Sequence, residues 1–141
     1  CGCQTLREAR LGAPNMPLDT KMPILVVDDY QTMVKIVRSM LAQIGFEDVD
    51  SASDGQEALT KMREKKYGLV ISDWNMEPMN GLDLLRKVRA EQQREVRFIM
   101  VTAESKTEHV IAARRAGVDN YIVKPFNAQT LQTKIQAALA A

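Results

Sequence analysis

This sequence predicts an α/β fold built on one parallel sheet, and two observations carry the prediction. Short apolar runs alternate with amphipathic segments along the chain, and the connections between them are only a few residues long. The runs Ile24 to Val27, Leu69 to Ile71, Phe98 to Val101 and Tyr121 to Val123 read as strands buried on both faces, with Val49 to Ala52 a weaker fifth. Helices are expected at Thr32 to Ile44, Gly55 to Lys65, Leu82 to Glu91, Lys106 to Ala116 and Ala128 to Ala140. In the first of these, Met33, Val34, Ile36, Val37, Met40, Leu41 and Ile44 recur at the spacing of a core-facing helix surface. Gly45 then supplies a helix stop. Five strands alternating with five helices call for a parallel sheet covered on both faces by right-handed crossovers.

A chain of 141 residues is the size of one domain. Its 19 Lys and Arg against 18 Asp and Glu leave no strong field to draw it to nucleic acid or anionic lipid. No apolar run approaches the roughly eighteen residues of a membrane span, and no secretory signal opens the chain, so no membrane insertion and a cytoplasmic location are expected. Cys1 and Cys3 stand without further Cys or His nearby, a poor framework for a metal or a disulfide. Residues 1–22 read as a flexible tail, and residues 23–141 as the folded domain. Met16 and Met22 each have the form of a natural start, so part of the tail is expected to come from a vector or an over-long reading frame. With the fifth helix closing the sequence, output is expected from the surface of this one domain.

In open α/β sheets, ligands bind beyond the carboxyl ends of the strands. There the sequence places Asp28 and Asp29, Asp73, Thr102 and Lys124, after or at the ends of the first, third, fourth and fifth strands. Taken singly, an Asp after a strand is a common helix N-cap. Taken together, three carboxylates in contact repel and raise one another's pKa unless a cation neutralises them. A hard divalent ion such as Mg²⁺ suits carboxylate and carbonyl oxygens and leaves positions for phosphate. Asp can also act as a covalent nucleophile, forming an aspartyl-phosphate, and phosphoryl transfer needs mostly positioning and charge neutralisation. A Ser–His–Asp or Cys–His arrangement is excluded, because the lone His109 falls on the outer part of its helix and reads as a surface residue. No glycine-rich phosphate loop follows the first strand, where Asp28-Asp29-Tyr30-Gln31-Thr32-Met33 stands instead, and this disfavours a nucleotide-dependent enzyme. Arg114 and Arg115 read as a solvated helix end favoured by the dipole rather than as an anion site.

Four segments carry a resemblance: Leu25-Val26-Val27-Asp28-Asp29, Ile71-Ser72-Asp73-Trp74-Asn75-Met76, Met100-Val101-Thr102-Ala103-Glu104 and Tyr121-Ile122-Val123-Lys124-Pro125-Phe126. In order and strand-end placement the chain from Pro23 to Ala141 resembles the CheY-like receiver domain of bacterial two-component response regulators. The resemblance implies a flavodoxin-like, doubly wound (βα)5 fold with sheet order 2-1-3-4-5. It implies that Asp73 accepts phosphate from a sensor histidine kinase. Asp29, Asp73 and the Asn75 backbone carbonyl would hold Mg²⁺, with Asp28 acting through water. Lys124 would contact the phosphoryl oxygens, Thr102 would move to bond them, and Tyr121 would swing between rotamers as part of a two-state switch. The Lys124–Pro125 bond is expected to be cis. Asn75 and Glu104 would, by this resemblance, occupy positions that tune loss of the phosphate. By the same resemblance the target is the flagellar motor switch, met by the face of the fourth helix, fifth strand and fifth helix.

Two departures stand out. Where the family usually has Pro directly after the methionine, and later Asp before Gly, the run is Met76-Glu77-Pro78-Met79-Asn80-Gly81. The loop beside Asp73 is therefore expected to differ in shape, and Glu77 to alter Mg²⁺ affinity or deter a phosphatase. Two other functions compete with the motor regulator: a phosphate sink or relay intermediate, and a metal-dependent phosphatase. The last is weakest, since no separate acid or base for turnover is visible.

Overall fold

Every apolar run forms a strand and every amphipathic segment a helix. In chain order they are β1 (Ile24–Val27), α1 (Gln31–Ile44), β2 (Val49–Ala52), α2 (Gly55–Glu64), β3 (Leu69–Asp73), α3 (Gly81–Ala90), β4 (Arg97–Thr102), α4 (Thr107–Ala116), β5 (Asn120–Val123) and α5 (Ala128–Ala140). The computed structural model describes residues 21–76, 79–91, 96–103 and 107–140. The expected tail up to residue 20, the Glu77–Pro78 pair and Glu104 lie outside the described residues. The strands form one sheet in the order β2-β1-β3-β4-β5, and all four pairings are parallel. This is the flavodoxin-like arrangement.

Strand boundaries run further than apolarity alone indicates. β3 continues past Ile71 through Ser72 to Asp73, and β4 takes in Arg97 and Thr102. The cause is the ladder: Asp73 is still in register with Val101, and Thr102 with Val123, so backbone pairing carries polar residues to the strand ends.

Alternation along each strand splits the interior into two cores. Leu25, Val27, Val70, Phe98 and Met100 point to one face, where Ala58, Leu59 and Met62 of α2 and Leu84, Leu85 and Val88 of α3 cover them. Ile24, Val26, Leu69, Ile71, Ile99, Val101 and Ile122 point to the other, under Val37 and Leu41 of α1 and Leu131, Ile135 and Ala138 of α5. A strand buried on both faces has no polar side, and the runs read as continuous apolar stretches for that reason. Helix α4 is held more lightly than the others: among its described side chains only Ala113 is buried, while Ile111, Arg114 and Arg115 face solvent.

Helix ends follow from local chemistry. Gly45 terminates α1 at φ 120°, a left-handed conformation that favours glycine, and its N–H bonds back to the Leu41 and Ala42 carbonyls. Asn80 caps α3, its Oδ1 accepting from the Asp83 N–H at 2.8 Å. Asn caps as well as the Asp that is usual there, so this departure leaves the helix start intact. Gly81, next in the chain, lies where a Cβ would collide with the Asp73 carbonyl and come within 2.7 Å of Met100 Sδ and 3.1 Å of Trp74 Cα. Its N–H donates to the Trp74 carbonyl at 2.9 Å. The missing side chain lets α3 begin directly against the end of β3. Gly81→Ala is expected to lower the unfolding free energy in urea by about 1–3 kcal/mol through overpacking; an unchanged midpoint would show that the turn relaxes freely.

Candidate functional site

Register assembles the site. Val27 of β1 pairs with Ser72 of β3, so Asp28 and Asp73 leave the sheet side by side. Asp73 pairs with Val101, which sets Thr102 one residue beyond it, and Thr102 pairs with Val123, which brings in Lys124. The Lys124 N–H donates to the Thr102 carbonyl at 2.8 Å, and the Trp74 N–H to the Val101 carbonyl at 2.8 Å, extending the backbone ties past the strand ends. The Lys124–Pro125 peptide is cis, as expected.

The side chains converge accordingly. Asp28, Asp29 and Asp73 each offer a carboxylate oxygen, and these atoms lie within 4.8 Å of one another. Asp73 is 6% exposed, Asp28 is equally enclosed, and Asp29 opens to solvent. Lys124 Nζ sits 3.0 Å from Asp73 Oδ1. Thr102 is buried at the end of β4, Tyr121 is half-buried on β5, and Asn75 lies in the exposed turn after β3. The capping alternative for the aspartates fails: Tyr30 is the N-cap of α1, and that position makes no side-chain capping bond. Asp28 Oδ1 instead accepts from the Tyr30 N–H at 3.0 Å. This turns the Asp28 carboxylate back toward the cluster rather than along the helix.

Burial pushes the Asp28 carboxyl up to about 6, and the charges of Asp73 and Asp29 reinforce the shift against the Tyr30 N–H and Lys124. One ammonium does not neutralise three carboxylates. The donor set is hard oxygen throughout, part buried and part open to water, which fits a hard divalent cation of the Mg²⁺ kind.

His109 corrects one sequence expectation. It is not a free surface residue: its ring stacks on Trp74, with centroids 4.7 Å apart and planes 17° from parallel, and its Nδ1 is buried without a hydrogen-bond partner among the described residues. Position 109 lies one turn before the buried Ala113, on the same face of α4, and the ring of Trp74 lies against it. The signal available in the sequence was that the chain's single Trp follows Asp73 and its single His opens the next helix but one. Arg114 and Arg115 are exposed in the last turn of α4.

The Asp28 shift makes stability depend on pH. The unfolded carboxyl loses its proton near 3.8 and the folded one near 6, so the unfolded state binds fewer protons in that window and stability falls as pH rises through it. Above it, the enclosed charge costs the fold roughly 2–3 kcal/mol. In the presence of a chelator at pH 7.5, Asp28→Asn is expected to raise the unfolding free energy by about 1–3 kcal/mol and to flatten the decline at lower pH. A variant no more stable than wild type in thermal unfolding at pH 7.5, or one whose stability falls as steeply between pH 3.8 and about 6, would contradict this.

Comparison with known proteins agrees with the geometry. The chain matches the response regulator receiver domain over residues 24–136. It is 44% identical over 119 residues to the chemotaxis protein CheY-3 of Vibrio cholerae, covering 84% of this chain and 92% of that protein. It is likewise 44% identical over 116 residues to the chemotaxis protein CheY of Pseudomonas aeruginosa, covering 82% and 94%. In three dimensions it resembles chemotaxis protein CheY4 of Vibrio cholerae, with a TM-score of 0.79 at 32% identity over 84% of this chain and 98% of the other. The chain therefore belongs to the response regulator receiver domain family, CheY-like signalling switches phosphorylated on an aspartate in two-component systems rather than enzymes of the usual turnover kind.

Proposed function

We propose that Asp73 is the phosphoacceptor and that the chain is a chemotaxis regulator working in the cytoplasm. The observation that carries this reading is the Asp73 carboxylate itself. It is enclosed at the end of the central strand, 3.0 Å from an ammonium and grouped with two further carboxylates. No other aspartate or glutamate among the described residues combines these features.

In this reading an Asp73 carboxylate oxygen attacks the phosphorus of a phosphohistidine on a sensor kinase. An O–P bond forms as the P–N bond breaks, and the departing imidazole keeps the electron pair and is protonated from solvent. Asp29, Asp73 and the Asn75 carbonyl would hold Mg²⁺, with Asp28 acting through water, and the ion would supply positive charge for the phosphoryl oxygens. Lys124 exchanges its bond to Asp73 for one to the new phosphoryl group. The Thr102 hydroxyl turns to the phosphate, Tyr121 follows inward, and the face of α4, β5 and α5 changes shape for its target. By similarity to the chemotaxis relatives, that target is a flagellar motor switch protein.

The test is to incubate the protein with a small phosphodonor and Mg²⁺, alongside Asp73→Ala, and to follow labelled protein and released phosphate together. Stoichiometric labelling of wild type and none of the variant is expected, with labelling lost on chelation. A wild type that stays unlabelled, or that turns over many phosphoesters per molecule, sinks the proposal. Beryllofluoride-dependent pull-down of the motor switch protein then separates a motor regulator from a phosphate sink, which would not bind it.

A further inference from the structure

We propose that His109 is a positioning residue of the switch: its Nδ1 is the hydrogen-bond partner that holds Tyr121 in an inward rotamer. The inference rests on the receiver reading above and assigns to it a residue on α4.

Three observations meet at this point. His109 and Tyr121 line the same pocket, together with Trp74, Met100, Thr102 and Ala113, between α4 and the ends of β3, β4 and β5. Within it the imidazole is fixed in place by its stack on Trp74, so its Nδ1 has a defined position. That Nδ1 is buried and has no hydrogen-bond partner among the described residues. A buried polar atom left unpaired is costly enough that native structures rarely keep one without a reason.

Tyr121 supplies the complementary need. On its present half-buried position the ring has Lys134 Nζ 5.4 Å from its centroid, a weak, partly solvated contact. Turned inward, its hydroxyl enters a pocket floored by Met100 and Ala113, where a phenol O–H requires a partner. With the ring proton on His109 Nε2, Nδ1 accepts that hydrogen bond, and two unsatisfied groups are removed at once.

The anchoring of α4 makes the bond consequential. At its carboxyl end the helix is clamped, because Arg89 of α3 donates to the Gly117 carbonyl at 2.9 and 2.8 Å and to Asp119 Oδ2 at 2.9 Å. Toward its amino end, the stack of His109 on Trp74 ties it to the residue after Asp73. A hydrogen bond from Tyr121 to His109 thus joins β5 to the amino-terminal part of α4 and links both to the turn that follows Asp73.

The experiment uses the full chain labelled with 3-fluorotyrosine and followed by ¹⁹F NMR, with the Tyr121 resonance identified by Tyr121→Phe. Beryllofluoride and Mg²⁺ are added to activate Asp73. In wild type the Tyr121 resonance is expected to move to a single buried position. His109→Phe keeps a ring against Trp74 but has no acceptor, and it is expected to shift the inward-to-outward ratio about tenfold toward outward. His109→Gln restores an acceptor and is expected to recover much of the inward population. Unchanged labelling of Asp73 in both variants shows that they fold. An inward population in His109→Phe equal to wild type overturns the proposal, as does His109→Gln behaving like His109→Phe. A wild type that labels at Asp73 yet never moves Tyr121 overturns this inference alone; one that does not label overturns the receiver reading and this inference with it.

Discussion

Three carboxylates gathered within 4.8 Å at the end of a parallel sheet are the constraint on which the rest of this structure turns. The repulsion is built in by register: because Val27 pairs with Ser72, Asp28 and Asp73 cannot avoid one another. Lys124 offsets part of the charge through its contact with Asp73, and the Tyr30 N–H offsets part through Asp28. Burial, reinforced by the charge left over, raises the Asp28 carboxyl, and the cluster is an arrangement that a cation or a cationic surface completes. The fold tolerates this because two large cores lie below it, one on each face of the sheet.

Around that cluster the chain is stiff on one side and yielding on the other. On the α3 side, Asn80 caps the helix and Gly81 lets it start against the backbone of Asp73 and Trp74 without room for even a methyl group. On the α4 side, a helix with one buried described side chain is held by a clamp at one end and a ring stack at the other. Local opening is easiest where few apolar contacts must be broken. A change of charge at Asp73 therefore finds its compliant neighbour in α4 rather than in α3.

How much of this the sequence disclosed can be followed residue by residue. Strands and helices were legible because double burial leaves uninterrupted apolar runs and single-face burial leaves a helical stripe. The convergence of Asp28, Asp29, Asp73, Thr102 and Lys124 was legible because strand ends meet in a parallel sheet whatever lies between them. Less legible were the ends of β3 and β4, where ladder hydrogen bonds carry Ser72, Asp73 and Thr102 that no apolar pattern marks. Least legible was His109, since the ring that lies against it, Trp74, comes from a different part of the chain. Periodicity reports which face of a helix turns inward; it says nothing of what a neighbouring loop lays against it. The expected effects of Glu77 and Glu104 fall on residues outside those described, so the loop departure stays an expectation drawn from sequence.

The Trp74–His109 stack also has an optical consequence. With one tryptophan and one histidine in the whole chain, indole emission originates at a single site, one residue from Asp73, and an imidazole stacks on it. Imidazole in ring contact with indole draws down its emission, more so when protonated. Any event that parts the two rings by an ångström or two registers as a change in brightness, with no second indole to dilute it. The protein thus carries its own reporter of the state of α4, placed by the same packing that couples that helix to the acidic cluster.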